Sequence, residues 1–242
     1  MKKEIQEYLE KNGFEALRPK AVLFDMDGVL YDSMPHHAVA WQRSMAAFGI
    51  KMSALDAYAT EGARGVDTIR LMVKQQQGRD IDEAEAQRMY DEKTRQFHLM
   101  PETRVMPGIL DLMAQIHACR LTIGVVTGSG QRPLINRLLK DFGIYLDESH
   151  IVTAYDVKHG KPNPDPYLMG LQKAGNLNPW EAIVVENAPL GVKAGVAARI
   201  FTIAVNTGPL PDEKLTDEGA NLLFPAMKDL SESWKELYNQ CR

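Results

Sequence analysis

Two cysteines in 242 residues, Cys119 and Cys241, are too few for a disulfide framework or a four-cysteine zinc site. A basic excess is missing as well, since 28 Lys and Arg stand against 32 Asp and Glu, a formal net charge of −4. That balance argues against a surface built to coat nucleic acid, but it leaves room for a local basic pocket around an anionic substrate. No apolar run approaches the ~20 residues of a membrane span. The longest runs, 21–24 and 200–205, are short, and Thr202 interrupts the second. The first twenty residues start basic but mix acids into every turn, so they lack the apolar stretch of a secretory signal. They read as a short amphipathic helix ended by Gly13, and the expected compartment is the cytoplasm. Internal repeats and low-complexity segments are also lacking.

What is present is an ordinary globular composition, 45% hydrophobic and 25% charged, sized for one large domain or a large and a small one. Short β-branched runs alternate with helical patterns. Strands are expected at 21–24, 121–126, 151–153, 183–185, 201–204 and 221–223, and helices at 133–142, 166–174, 189–198 and 230–238. Four of the strands show little polar alternation, as strands buried on both faces of a parallel sheet do. The expected fold is α/β, a doubly wound parallel sheet of Rossmann-like type. One interval breaks the rhythm: about a hundred residues separate the first two strands, where a βαβ unit needs roughly 30. Inside it Ala38, Trp41, Met45 and Phe48 recur at helical spacing, as do Val66, Ile69 and Val73. A third helix is expected from Asp82, with Glu85 completing a capping box. The expected organisation is a catalytic core of residues 1–33 and 106–242, with an all-α cap of residues 34–105 inserted after the first strand and closed by the turn Met106-Pro107-Gly108.

Loops at the carboxyl edge of such a sheet bind ligands, and four of them carry suggestive residues. Asp25 and Asp27 follow the first strand two residues apart, so both point the same way and can address one ligand. Two carboxylates that close favour a cation between them or divide into an acid and a base; an acidic turn with Gly28 at positive φ is the plain alternative. Thr127-Gly128-Ser129-Gly130 opens the helix after the second strand and offers hydroxyls and backbone N–H groups to an anion. Lys161 precedes the proline-stiffened run 162–166, in which Asp165 reads as a helix N-cap; it is either a fixed positive charge or a solvated lysine. Glu186 and Asn187 follow the fourth strand, where the glutamate and a neutral amide oxygen suit a hard cation, or Asn187 simply caps the next helix.

Taken together, FDMDGVL, VVTGSG, GKPNPDPY and VVENAPLGVKAG, in this order over nearly the whole chain, resemble the haloacid-dehalogenase-like phosphatases. DMDGVLYDS, the helical insert and the KPNPDPYL run look most like the β-phosphoglucomutase-like branch. The resemblance implies Asp25 as the nucleophile that forms an aspartyl-phosphate and Asp27 as the acid that protonates the leaving group and then the base that activates water. It implies Mg²⁺ held by the Asp25 carboxylate, the Asp27 carbonyl and the Glu186/Asn187 site, with Thr127, Gly128, Ser129 and Lys161 on the phosphoryl group. The insert would be a mobile cap that excludes water.

The chain departs from the pattern in places that bear on substrate. Asn187 stands where the family has an aspartate, which removes one negative charge from the site. On the cap, His37 lies at the distance of the histidine that relays closure to the acid/base aspartate in the mutase. Glu61 occupies the position of a family lysine, and the family arginine is displaced by one, with Gly65 in its place and Arg64 beside it. A carboxylate there suits a small substrate that brings its own metal, such as magnesium pyrophosphate, better than a sugar phosphate. The expected function is a Mg²⁺-dependent phosphohydrolase acting on a small phosphorylated metabolite, inorganic pyrophosphate among the candidates. The alternatives are a β-phosphoglucomutase interconverting β-glucose 1-phosphate and glucose 6-phosphate, and a non-catalytic sugar-phosphate-binding protein. Neither a nucleic acid nor a membrane is expected as partner, and Cys119 is expected to be buried.

Overall fold

The computed structural model describes residues 1–130 and 132–241. Six strands, β1 (Ala21–Phe24), β2 (Thr122–Val126), β3 (Ile151–Val152), β4 (Ala182–Glu186), β5 (Phe201–Val205) and β6 (Leu222–Phe224), form one sheet in the order β3-β2-β1-β4-β5-β6. Every pairing is parallel, with Leu23 of β1 opposite both Gly124 of β2 and Val184 of β4. β1, β4 and β5 are buried throughout, which is why they read as unbroken apolar runs. The fold is a doubly wound α/β sheet of Rossmann-like type.

The helices of the sheet region are α1 (Lys2–Asn12), α6 (Ile109–Ala118), α7 (Arg132–Phe142), α8 (Asp165–Lys173), α9 (Pro189–Ala197), α10 (Glu213–Thr216) and α11 (Met227–Gln240). Leu112, Ile116, Leu138 and Trp234 cover one face of the sheet over Val22, Phe24 and Ile183. Tyr167, Leu171 and Ala194 cover the other over Leu23, Val126 and Val184. The strand order turns back between β1 and β4, so the crevice that binds ligands in such sheets opens where Asp25 and Asn187 leave the strands.

Between β1 and α6 lie α2 (Met34–Ala47), α3 (Ala54–Ala59), α4 (Gly65–Gln77) and α5 (Glu83–His98). They share an apolar cluster of their own, built on Trp41, Met45, Ile69, Met72, Val73 and Met89. Two short connections join this insert to the sheet, and they are zipped together: the Asp32 N–H donates to the Arg104 carbonyl (2.9 Å) and the Met106 N–H to Leu30 (2.8 Å).

Several local expectations need correcting. α3 is too short to show a periodicity and is set by the Ser53–Asp56 capping box instead; α6, which starts after Gly108, was likewise unforeseen. The capping box at Asp82 is only half made. Asp82 accepts the Glu85 N–H (2.7 Å), but the Glu85 carboxylate pairs with Arg79 (2.7 Å). Asp165 is the first helical residue and not the cap, and its carboxylate pairs with His159 Nδ1 (2.9 Å). The helix after β4 is capped at Ala188, not by the Asn187 side chain. Cys119 is half-buried at the end of α6, whereas Cys241 is buried.

Candidate active site

The loop after β1 is held at a sharp turn. Gly28 has φ 81°, and a Cβ there would lie 2.1 Å from the Asn187 amide, so only glycine lets the two loops meet. Asp25 is 5% exposed, and its N–H continues the ladder to the Val185 carbonyl (3.0 Å). Lys161 reaches in from the β3–α8 loop and lies between two carboxylates, 2.5 Å from Asp25 Oδ1 and 2.6 Å from Glu186 Oε1, while also donating to the Val126 carbonyl (3.1 Å). Lys161 is thus a buried fixed charge, not a solvated lysine. Burial works against its charge, but Asp25 and Glu186 outweigh that and hold its pKa above the usual lysine range.

Glu186 has no exposed surface. Its Oε1 accepts from Lys161 and from the Tyr167 hydroxyl (2.7 Å), and its Oε2 accepts the N–H groups of Asn187 (3.0 Å) and Ala188 (3.3 Å). Gly191 packs so closely that a Cβ there would touch Oε1 at 1.9 Å. In this arrangement Glu186 anchors Lys161, and both of its oxygens already accept hydrogen bonds. Its place as a cation ligand, expected from the sequence, is thus taken in this structure by Lys161, Tyr167 and two backbone N–H groups.

Asp27 sits at the end of a polar chain from the insert. Lys93 Nζ lies 2.7 Å from His37 Nδ1, and His37 Nε2 lies 3.1 Å from Asp27 Oδ1. An ammonium can only donate, so His37 accepts at Nδ1 and passes its Nε2–H to Asp27. Ser33 Oγ donates to the same oxygen (2.5 Å). Burial would raise the Asp27 pKa, but His37 and Ser33 more than offset it and hold the carboxyl below its usual range. Burial, reinforced by Lys93, pushes His37 down, consistent with a neutral imidazole. Lys93 is 6% exposed and lies near the rings of Trp41, Tyr90 and Phe97.

These groups line a cavity of about 70 Å³ between the insert and the sheet, walled by Asp25, Asp27, Glu61, Tyr90, Lys93 and the Thr127–Ser129 loop, among others. Thr127 Oγ1 accepts the Ser129 N–H (3.1 Å), which shapes that loop. Gly62 and Ala63 overhang it closely enough that a Cβ on Gly128 would lie 3.5 Å from the Gly62 carbonyl oxygen. Tyr90 folds across the start of α4, where a Cβ on Gly65 would meet its ring at 2.0 Å. Glu61 faces the two aspartates. Burial, then Asp27 and Asp25, pushes it up to about 8, and burial together with Glu186 and Asp27 pushes Asp25 to about 7 against the pull of Lys161. The structure therefore brings together Asp25, Asp27, His37, Glu61, Thr127, Gly128, Ser129, Lys161, Glu186 and Asn187. Arg64 is the exception: its guanidinium forks onto Asp67 (2.7 and 3.0 Å) and lies outside this cavity.

Tyr90, Lys93 and Tyr167 escaped the sequence reading, and Ser33, which the sequence places only as a hinge at the start of the insert, donates to Asp27. A signal existed for Lys93, because Met89, Tyr90 and Phe97 stand four and three residues before it and four after it. That spacing sets the lysine on the apolar face of α5.

The site suits a hard cation. Asn187 Oδ1 is buried and lacks a hydrogen-bond partner, and it lies beside the turn that carries Asp25 and Asp27. Together with an Asp25 carboxylate oxygen and the Asp27 carbonyl it makes an all-oxygen donor set, the kind that Mg²⁺ prefers.

The family model for haloacid dehalogenase-like hydrolases matches residues 22–205. Hexitol phosphatase A of Escherichia coli (strain K12) is 35% identical over 194 residues, covering 78% of this chain and 84% of its own. The β-phosphoglucomutase of Bacillus subtilis (strain 168) is 27% identical over 233 residues, covering 90% and 96%. A solved structure of a Bacteroides vulgatus protein, provisionally called a β-phosphoglucomutase, superposes with a TM-score of 0.95 at 49% identity, over 100% of this chain and 98% of that one.

Proposed function

Since the chain belongs to the haloacid dehalogenase-like hydrolase family, we propose that it is a Mg²⁺-dependent phosphohydrolase whose preferred substrate is inorganic pyrophosphate. An Asp25 oxygen attacks phosphorus, the bond to the leaving oxygen breaks, and an aspartyl-phosphate forms. Lys161 and the Thr127–Ser129 loop hold the transferring group, which is mostly a matter of position and charge. Bound at Asp25, the Asp27 carbonyl and Asn187, Mg²⁺ would offset the charge on the phosphoryl oxygens. Asp27 then takes a proton from the water that hydrolyses the acyl-phosphate, and residues 34–105 act as the cap that excludes bulk water until that step.

Glu61 is the observation that carries the choice of substrate. Burial and the two aspartates raise the half-buried Glu61 carboxyl facing the nucleophile to about 8, so it meets a second anionic group either with the proton it holds or, once ionised, beside a cation that the substrate brings. Arg64, which stands beside the position of the family arginine, is committed to Asp67. The chemistry agrees. Asp27 accepts two hydrogen bonds on one oxygen and is held ionised, so it suits a leaving group acidic enough to depart without a proton. Phosphate is such a group and a sugar hydroxyl is not.

The β-phosphoglucomutase reading is the second one, favoured by the His37–Asp27 contact and the Bacteroides vulgatus likeness. Asp25 and Asp27 together argue against a silent binding protein, which needs neither. The test is phosphate release with Mg²⁺ from pyrophosphate and from a panel of sugar phosphates, with a mutase assay on β-glucose 1-phosphate alongside. Release from pyrophosphate well above the rest, abolished in Asp25→Asn and reduced in Glu61→Ala, is expected. Conversion of β-glucose 1-phosphate without phosphate release would overturn it.

A further inference from the structure

Both connections between the insert and the sheet meet one side chain that the catalytic chemistry does not use. Arg137, on α7, lays its guanidinium over the ring of Tyr31 in the first connection, 4.1 Å from its centroid. The same guanidinium donates through Nη1 to Thr103 Oγ1 (2.9 Å) and through Nη2 to the Thr103 carbonyl in the second connection. Glu102 (3.2 Å) and Asp141 (3.4 Å) balance its charge, and the Tyr31 hydroxyl donates to Asp141 Oδ2 (2.9 Å), so the clasp closes on itself. Tyr31 and Thr103 are buried. Five donors in a planar fork, able to stack on an aromatic ring at the same time, are what guanidinium offers and ammonium does not.

The position of α7 gives this cluster a consequence. The helix follows directly on the Thr127–Ser129 loop, and Leu134, one turn before Arg137, lines the cavity. A phosphoryl group seated on that loop would share the cavity with Leu134, on the helix whose Arg137 holds both connections. We propose that Arg137 is a positioning residue that fixes the pivot of the cap and links the phosphate loop to cap closure. The inference rests on reading residues 34–105 as a cap that opens and closes. The mechanical link is local: one guanidinium bonds a carbonyl and a hydroxyl on one connection and stacks on the other, so the two connections move as a pair.

The test uses spin labels on exposed sites, Leu71→Cys in α4 and Ile144→Cys beyond α7, in a Cys119→Ser background, with Cys241 left buried. With Mg²⁺ and orthophosphate, one narrow label–label distance is expected for the parent protein and a broad distribution for Arg137→Ala. Thr103→Val should broaden it less. Arg137→Lys, which keeps the charge opposite Asp141 and Glu102 but loses the fork and the flat stack, should be as broad as Arg137→Ala even if it melts higher. In the unlabelled enzyme the KM for pyrophosphate should rise about tenfold in Arg137→Ala, since closure then costs more of the binding energy. A narrow distance in Arg137→Ala, with or without a lower melting temperature, would overturn the proposal, as would full rescue by lysine. The distances need no turnover, so an enzyme that releases no phosphate from pyrophosphate or from any ester would sink the proposed function and leave this result standing.

Discussion

In the metal-free protein, Glu61→Gln isolates what the cap carboxylate costs. The Glu61 carboxyl is raised from 4.5 to about 8 by burial first, then by Asp27 and Asp25. At 1.36 kcal/mol per pH unit, keeping the ionised form inside the closed pocket costs about 5 kcal/mol. The closed state binds this proton more tightly than the unfolded or opened chain does. Its stability is therefore complete below pH 4.5 and is lost progressively as the pH rises through about 8. The figure is a ceiling, because swinging the cap open returns Glu61 to water while the cluster around Trp41 and Met45 keeps the insert folded. The observable is therefore opening at the seam and not global unfolding. Hydrogen exchange of the 60–65 backbone, corrected for its intrinsic pH dependence, should accelerate between pH 5 and pH 8.5 in the wild type and stay nearly flat in Glu61→Gln. Asp25, also raised, is present in both proteins, so the difference between them belongs to Glu61. Saturating Mg²⁺ should suppress the effect by supplying the missing positive charge. Equal pH dependence in the two metal-free proteins would refute the reasoning, because Glu61 would then have to lie in water with the cap closed.

Three other outcomes are expected. Lys161→Met leaves Asp25 and Glu186 buried without their shared cation, so denaturant melts should show a loss of about 3 kcal/mol and phosphate release should vanish. Asn187→Asp replaces the unpartnered amide oxygen with a carboxylate, and a Mg²⁺ titration followed by tryptophan fluorescence should give roughly tenfold tighter half-saturation. Tyr90→Ala removes the ring that fills the space over Gly65, which should shift kcat/KM toward hexose phosphates and away from pyrophosphate by at least about tenfold, at a stability cost of about 3 kcal/mol; an unchanged ratio would show that the ring does not bound the pocket.

The sheet was legible because each buried strand announces itself: 21–24, 183–185 and 201–204 are apolar without alternation, and the structure only extends two of them by a residue or two. β6 slipped by one residue because its pattern is weak and a side-chain bond sets its start, with Asn221 Oδ1 accepting the Thr202 N–H at 2.8 Å. α3 and the half-made box at Asp82 failed for a related reason. Both depend on which of several nearby polar groups wins a hydrogen bond, and sequence spacing cannot tell that Arg79 takes the Glu85 carboxylate.

The groups of the candidate site divide along the same line. Asp25, Asp27, Thr127 and Lys161 stand on strand ends, where topology alone dictates convergence, so their order in the chain was enough to bring them together. Groups contributed by the insert depend on how a separate helical unit is set down on the sheet, and no periodicity encodes that. Arg64 and Glu61 show the consequence. They are three residues apart and flank the same turn, yet one points into the cavity and the other to Asp67 on the outside. Lys93 shows it from the other side: a lysine in a charged helix becomes the end of a chain to Asp27 only because α2 brings His37 against α5. Reaction type is thus carried by the sheet and can be read from the sequence. On the proposed reading, substrate choice lies at the seam between sheet and insert, where Glu61 lines the cavity without touching any strand. Members of such a family can therefore share the aspartate pair and still differ in what they hydrolyse.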